Sequence, residues 1–266
     1  MRFDDDTPEP SQLPVTYPRN APVNLLLERS ELTPRNFFAF EGIDGSGKST
    51  LAKAVARQVG VRGLRGVILK LGRSEVTHHA LERAKWLNAD PITLNLLNWI
   101  TLFDNTIAQR TLLNDPNVLL LADRYVLTVM VRGLLEGLDL DYMRILETKV
   151  PRPRRIYFLD AEPESCLERI LAGGRSITYF EAGYRDVNGP GDQMSEADSA
   201  CRRKDDHRKE ALLAHLRRSR QLYLECARCY DQVVVVDNSR GLDATVETVC
   251  ADLAQTIADP LRSSTN

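Results

Sequence analysis

The sequence predicts an α/β fold, a doubly wound parallel sheet of five strands with helices on both faces. Three observations predict it. Five short apolar runs recur along the 266 residues, at 37–40, 67–71, 118–122, 156–159 and 233–236. Helix-length segments separate most of them, which is the sequence form of repeated βα units. The runs are almost uniformly apolar rather than alternating, as strands covered on both faces must be.

The elements follow in order. Residues 1–35 are rich in proline and polar groups, with one apolar cluster at Leu25, Leu26 and Leu27, and read as an irregular N-terminal extension. After the first run, Leu51, Val55 and Val59 with Ala52 and Ala56 fall on one helical face, because residues four apart stack above one another. Cys166, Leu167, Ile170 and Leu171 repeat that pattern after the fourth run. A long amphipathic helix is expected over 208–230, where Leu212, Leu213, Leu216, Leu222, Tyr223 and Leu224 are set among charges. Between these two helices, 183–206 turns to Gly, Asp, Asn, Ser and Pro, too polar for core, and reads as part of a mobile lid at about 172–206. The folded domain is therefore expected over 36–258, with 259–266 as a C-terminal tail. This length suits one sizeable domain.

Composition narrows the partners. Apolar residues at 43% and charged residues at 27% match an ordinary globular chain, and the net charge of −2 gives no global attraction to nucleic acid or anionic lipid. The basic cluster Arg202, Arg203, Lys204, Arg208 and Lys209 is interleaved with Asp205, Asp206 and Glu210, so it reads as a solvated lid and helix start, with no nucleic-acid partner expected. The apolar runs fall far short of the ~20 residues that span a bilayer, and the acidic, proline-rich start is the reverse of an export signal. A cytoplasmic protein without membrane contact is expected. Five irregularly spaced cysteines read as reduced thiols, including the single Cys226-x-x-Cys229, which lies in a helical pattern with no second pair.

The chemistry is written at Gly42-Ile43-Asp44-Gly45-Ser46-Gly47-Lys48-Ser49-Thr50, a phosphate-binding loop placed between an apolar strand and an amphipathic helix. Its glycines let successive N–H groups turn inward toward phosphate oxygens, and the helix that follows adds its positive end. Lys48 is expected to reach the β- and γ-phosphates of ATP, and Ser49 to offer a hydroxyl to Mg²⁺. No Asn-Lys-x-Asp guanine-reading run occurs, which favours a kinase over a GTPase. The third strand ends in Asp123-Arg124-Tyr125, at the carboxyl edge where open α/β sheets bind ligands. Asp123 can hold Mg²⁺ through water, and the planar fork of Arg124 can clamp a second phosphate.

The run from Phe37 through Thr50, followed by Asp123-Arg124-Tyr125, resembles the thymidylate kinase family of P-loop nucleoside monophosphate kinases. Pro153 through Glu164 and Leu167-Glu168-Arg169-Ile170 are similar to that family's fourth strand and following helix. The resemblance spans roughly 36–256. It implies transfer of the γ-phosphoryl group of ATP, with Mg²⁺, to a nucleotide 5′-monophosphate, by a homodimer as is usual in the family. It also implies that Asp44 approaches the acceptor sugar or the metal, that Arg124 and Tyr125 lie at the acceptor, and that the loop ending at Arg240 lies against the adenine. The phosphate loop here carries Asp44-Gly45-Ser46 and no arginine, so the resemblance places the extra catalytic arginine in the lid, with Arg175 first and Arg185 second.

On the acceptor side the chain departs from the family. Leu71-Gly72-Arg73-Ser74-Glu75 stands in place of an Arg-Glu-Pro-Gly-Gly run, and Asp104-Asn105-Thr106 where an arginine is common. Thr128 to Gly133 replaces the segment that meets thymine. Arg73 and Arg132 are the candidate replacements, with His78 or His79 behind them. The acceptor is therefore expected to be dTMP or a related nucleotide. The alternatives are a nucleoside or small-molecule kinase, or an ATP-binding regulatory protein without efficient transfer.

Overall fold

The structure is a computed structural model that describes residues 34–61, 63–71, 74–87, 89–109, 111–173, 198–237 and 241–258, with backbone alone at 114 and 198–206. Its centre is a five-stranded parallel sheet: β1 (Phe37–Glu41), β2 (Arg65–Lys70), β3 (Val118–Asp123), β4 (Arg155–Asp160) and β5 (Val233–Asp237). The spatial order is β2-β3-β1-β4-β5, so the chain reverses direction across the sheet on either side of β1. That reversal opens a crevice at the carboxyl end of β1, beside β3 and β4. All five expected strands form.

Helices α1 (Lys48–Val61) and α8 (Leu242–Ala258) cover one face. Helices α3 (Pro91–Ala108), α4 (Val126–Leu135), α6 (Pro163–Ala172) and α7 (Asp198–Ala227) contribute to the apolar cluster on the other. Two shorter helices are also described, α2 (His78–Trp86) and α5 (Leu140–Glu147). Strand residues divide by parity. Phe38, Phe40, Leu119, Leu121, Tyr157 and Leu159 pack toward α1 and α8, while Phe37, Ala39, Leu120, Ala122, Ile156 and Phe158 pack toward α3, α4 and α7. Both parities are apolar, which is why the strands read as continuous runs. The edge strands are less enclosed, with β2 half-buried and Val235 of β5 exposed.

The α1 face matches its periodicity, since Leu51, Ala52, Val55 and Val59 are all buried. Leu51, Val55 and Val59 each contribute about 1.5–3 kcal/mol through the apolar area they remove from water. Helix α7 differs from the expectation at both ends. It begins at Asp198, within the stretch read as lid, and ends at Ala227 rather than 230. Between 198 and 227 there is no Gly or Pro, and the many Arg, Lys, Glu, Ala and Leu residues favour helix without needing burial, so the polar start continues the helix. Among the described residues no helix is long and apolar enough to cross a membrane.

Candidate active site

The loop between β1 and α1 is bent by three glycines in the left-handed region, Gly42 at φ 142°, Gly45 at φ 80° and Gly47 at φ 94°. Two of them are also pressed against backbone. A Cβ on Gly42 would lie 2.7 Å from the Leu159 carbonyl oxygen, and one on Gly45 would lie 2.6 Å from that of Cys166. Only glycine satisfies both the dihedral and the space. The loop is thus seated against the end of β4 and the first turns of α6, and Arg169 of α6 donates to the Gly45 carbonyl at 3.2 Å. Ser46 N–H donates to the Ile43 carbonyl at 3.2 Å, closing the turn.

Lys48 opens α1 with its ammonium folded back into the loop, donating to the Ile43 carbonyl at 2.6 Å and to Ser46 Oγ at 3.2 Å. Burial, and then the charge of Arg124, push this ammonium down to about 7, against the pull of Asp44, Asp123 and Glu41. Ser49 and Thr50 follow on the exposed side of the first turn.

Arg124, directly after β3, has φ 73°, a conformation uncommon for a residue with a side chain. The turn aims its guanidinium at Asp44 in the phosphate loop, and the two form an ion pair. Burial alone would raise the Asp44 carboxyl. Arg124, backed by Lys48, Arg132 and His215, instead holds it well below the usual carboxylate range. Burial works against the charge of Arg124, but Asp44, ahead of Tyr223, Asp123 and Glu41, holds it more firmly charged than usual. Arg132, half-buried on α4, and His215 on α7 therefore stand near the same carboxylate. Asp123, 8% exposed at the end of β3, keeps one carboxylate oxygen buried without a hydrogen-bond partner among the described residues. An unclaimed buried oxygen beside the loop suits a water or metal-bound water. Among the described residues no group of three or more His, Cys, Asp or Glu gathers as a metal cluster. The Ser49 hydroxyl and the Asp123 carboxylate are hard oxygen donors, the kind that suits Mg²⁺.

The structure revises one expected acceptor residue. Tyr125 is 5% exposed, packs edge-on against Phe37 with centroids 5.0 Å apart, and donates its hydroxyl to the Pro151 carbonyl at 2.9 Å. The left-handed turn at Arg124 throws the next side chain inward, so Tyr125 belongs to the core. His78 and His79 lie exposed in the first turn of α2, their ring centroids 5.6 Å apart. Cys226 is buried in the last turn of α7, and Cys229 is exposed just beyond it. Arg73, Arg175, Arg185 and Arg240 lie outside the described residues.

The acceptor-side departures also have structure. Asp104 of α3 accepts from the Ser74 hydroxyl, and Ser74 Oγ accepts from Thr77 N–H at 3.1 Å. Asn105 reaches the Lys70 carbonyl at 3.4 Å. These contacts tie α3 to the segment that follows β2.

Sequence reasoning assigned no role to Glu41, the last residue of β1, which is fully buried. One of its carboxylate oxygens accepts from the N–H of Tyr125 at 2.9 Å and of Thr128 at 3.2 Å. The other accepts from the Thr128 hydroxyl at 2.5 Å, and that hydroxyl lies 2.7 Å from the Tyr223 hydroxyl of α7. Burial pushes the Glu41 carboxyl up, while the bonds from Thr128 and Tyr125 and the charge of Arg124 draw it back. The one available signal was a carboxylate closing an otherwise apolar strand. His215 had no signal, being one polar residue among many on a charged helix.

Comparison with known proteins agrees with this geometry. The sequence model of the family described as thymidylate kinase matches residues 40–184. The chain is 25% identical over 213 residues to a probable thymidylate kinase of Sulfurisphaera tokodaii, covering 80% of this chain and 93% of the relative. It is 32% identical over 147 residues to probable thymidylate kinase 2 of Saccharolobus solfataricus, covering 54% of this chain and 68% of the relative. A thymidylate kinase of Xanthomonas campestris pv. campestris is 30% identical over 156 residues, with 57% and 67% covered. With Arg124 paired to Asp44 of a phosphate loop at the sheet reversal, and a family match over more than half its length, the chain belongs to the thymidylate kinase family and is a nucleoside monophosphate kinase.

Proposed function

We propose that the protein transfers the γ-phosphoryl group of ATP, with Mg²⁺, to the 5′-phosphate of dTMP or a closely related nucleotide. The observation that carries this reading is the pairing of two cationic centres of different kinds at one sheet edge. Lys48 sits inside a phosphate-binding loop, and Arg124 sits opposite it, locked to Asp44 of the same loop. One centre suits the donor's phosphates and the other the acceptor's.

In this reading the N–H groups of the loop from Gly42 to Thr50 cradle the donor, and Lys48 neutralises charge on its terminal phosphates. Ser49 and Asp123 are the residues that would hold Mg²⁺, which would supply positive charge against that of the phosphates. Arg124 grips the acceptor phosphate with its planar fork, and Asp44 orients that fork. Arg132 and Arg73 border the acceptor, Arg240 borders the adenine, and Arg175 spreads positive charge over the group in transit. Because little covalent work falls to the protein in phosphoryl transfer, positioning and charge account for most of the catalysis.

The departures at Asp104, Asn105 and Arg132 fall on the acceptor side, which is why a related nucleotide stands beside dTMP. An ADP-release screen with Mg-ATP against dTMP, the other nucleoside monophosphates and the free nucleosides tests the reading. Turnover with a monophosphate, lost in Lys48→Ala, is expected. Turnover confined to free nucleosides, or ATP hydrolysis indifferent to every acceptor, would contradict it.

A further inference from the structure

Arg124 holds its place at a conformational cost. A non-glycine residue in the left-handed region is strained and persists only where its surroundings over-determine it. Here both flanking peptides are fastened. The N–H of Arg124 itself donates to the Phe40 carbonyl at 3.0 Å, continuing the β1–β3 ladder. The next N–H, of Tyr125, donates to Glu41 at 2.9 Å. Glu41 therefore fixes the turn from the same strand end that leads into the phosphate loop.

A fully buried carboxylate is costly unless its oxygens are satisfied, and an apolar residue closing β1 would avoid that cost. Glu41 is satisfied by partners on two other elements. Thr128 of α4 gives it both an N–H and a hydroxyl, at 3.2 and 2.5 Å. The Thr128 hydroxyl has one hydrogen, spent on Glu41, so the Tyr223 hydroxyl of α7 is the donor at 2.7 Å. Tyr223 is 3% exposed and its ring stacks on Phe158 with centroids 5.5 Å apart, which fixes where that hydroxyl sits. The chain of bonds thus runs Tyr223, Thr128, Glu41, Tyr125 N–H, joining α7 to the turn that aims Arg124.

We propose that Tyr223, acting through Thr128 and Glu41, is a positioning residue for Arg124, so that the seating of α7 sets the acceptor-phosphate contact. This rests on the acceptor role assigned to Arg124 under the proposed function. Tyr223→Phe removes the hydroxyl and keeps the stacked ring. Thr128→Val removes the next hydroxyl with little change of shape, and Thr128→Ser retains it.

Steady-state kinetics with Mg-ATP and dTMP should be paired with NMR exchange rates of the Tyr125 and Thr128 amides in the nucleotide-free protein. Losing one buried hydrogen bond corresponds to about tenfold. We expect Tyr223→Phe and Thr128→Val to raise KM for dTMP about that much and to speed exchange of the Tyr125 amide by a similar factor. KM for ATP and kcat should stay within about twofold, and Thr128→Ser should behave as wild type. Unchanged dTMP KM and unchanged amide exchange in Tyr223→Phe would overturn the proposal. So would a Thr128→Ser variant as impaired as Thr128→Val, or a uniform loss in kcat and both KM values that follows a lowered melting temperature. If the wild type turns over no acceptor at all, the kinase reading fails while the amide exchange still decides whether the chain positions the turn.

Discussion

Arg124 and Asp44 are joined across the phosphate loop although they lie 80 residues apart, one at the end of β3 and the other inside the turn after β1. The pair converts two strand ends into one charged surface. Its side chains are 21% and 29% exposed, so it is sheltered without being sealed off from substrate. Because the folded state depresses the Asp44 pKa below its ordinary value of 3.8, its contribution to stability is complete above that pH and is lost as pH falls through the lower folded value. Asp44→Asn should therefore melt below wild type at pH 7, and the gap should narrow steadily below pH ~4. Thermal melts across pH 2.5–7 check this, and a gap that widens in acid would be the wrong sign.

Lys48 is pushed down to about 7 by burial and by Arg124. At pH 8 much of the ammonium is deprotonated before nucleotide arrives, and a polyphosphate beside it raises its proton affinity again. ATP binding at pH 8 should therefore take up a substantial fraction of a proton, and much less at pH 5.5. Calorimetry in buffers of different ionisation enthalpy reads the number directly. Equal uptake at both values would show that the lysine is already charged.

Gly45 is pinned by both its φ of 80° and the 2.6 Å that a Cβ would leave to the Cys166 carbonyl. Gly45→Ala should destabilise the protein by about 2 kcal/mol or more and weaken ATP binding. Gly137 also has a positive φ, with nothing within 4 Å of an added Cβ, so Gly137→Ala should cost less and leave ATP affinity unchanged. Urea denaturation and ATP titration of the two variants separate crowding from strain.

Arg175 is the proposed arginine finger, since the phosphate loop offers none. Arg175→Ala should lower kcat by on the order of 10³-fold with ATP affinity nearly unchanged. Arg185→Ala should cost far less. Single-turnover assays on both variants rank them, and the reverse order would move the role to Arg185.

The fold was legible because its two strongest signals are local. Apolar runs such as that of β3 report burial on both faces, and the glycines of the phosphate loop report backbone shape and spacing together. The ends of α7 were harder, because a run like Arg202-Arg203-Lys204-Asp205-Asp206 is equally at home in a solvated loop and on an exposed helix. Tyr125 was misread because its direction depends on the left-handed turn at Arg124, which no residue type announces. The chain from Glu41 to Tyr223 was invisible for a different reason. Thr128 and Tyr223 lie 95 residues apart, and their contact exists only once α4 and α7 pack on the same face of the sheet. Arg124 and Asp44 were each recognisable in sequence, but their mutual grip was not.

A phosphoryl group is expected to pass from ATP to a nucleotide that already carries a 5′-phosphate. ³¹P NMR of the wild-type protein with Mg-ATP and dTMP, repeated with each other nucleoside monophosphate, observes that bond form. With an accepted nucleotide, ADP and a new nucleoside diphosphate should appear in equal amounts, and neither should appear with Lys48→Ala. Release of inorganic phosphate alone, or a phosphorylated product only when free nucleosides are supplied, would contradict the account.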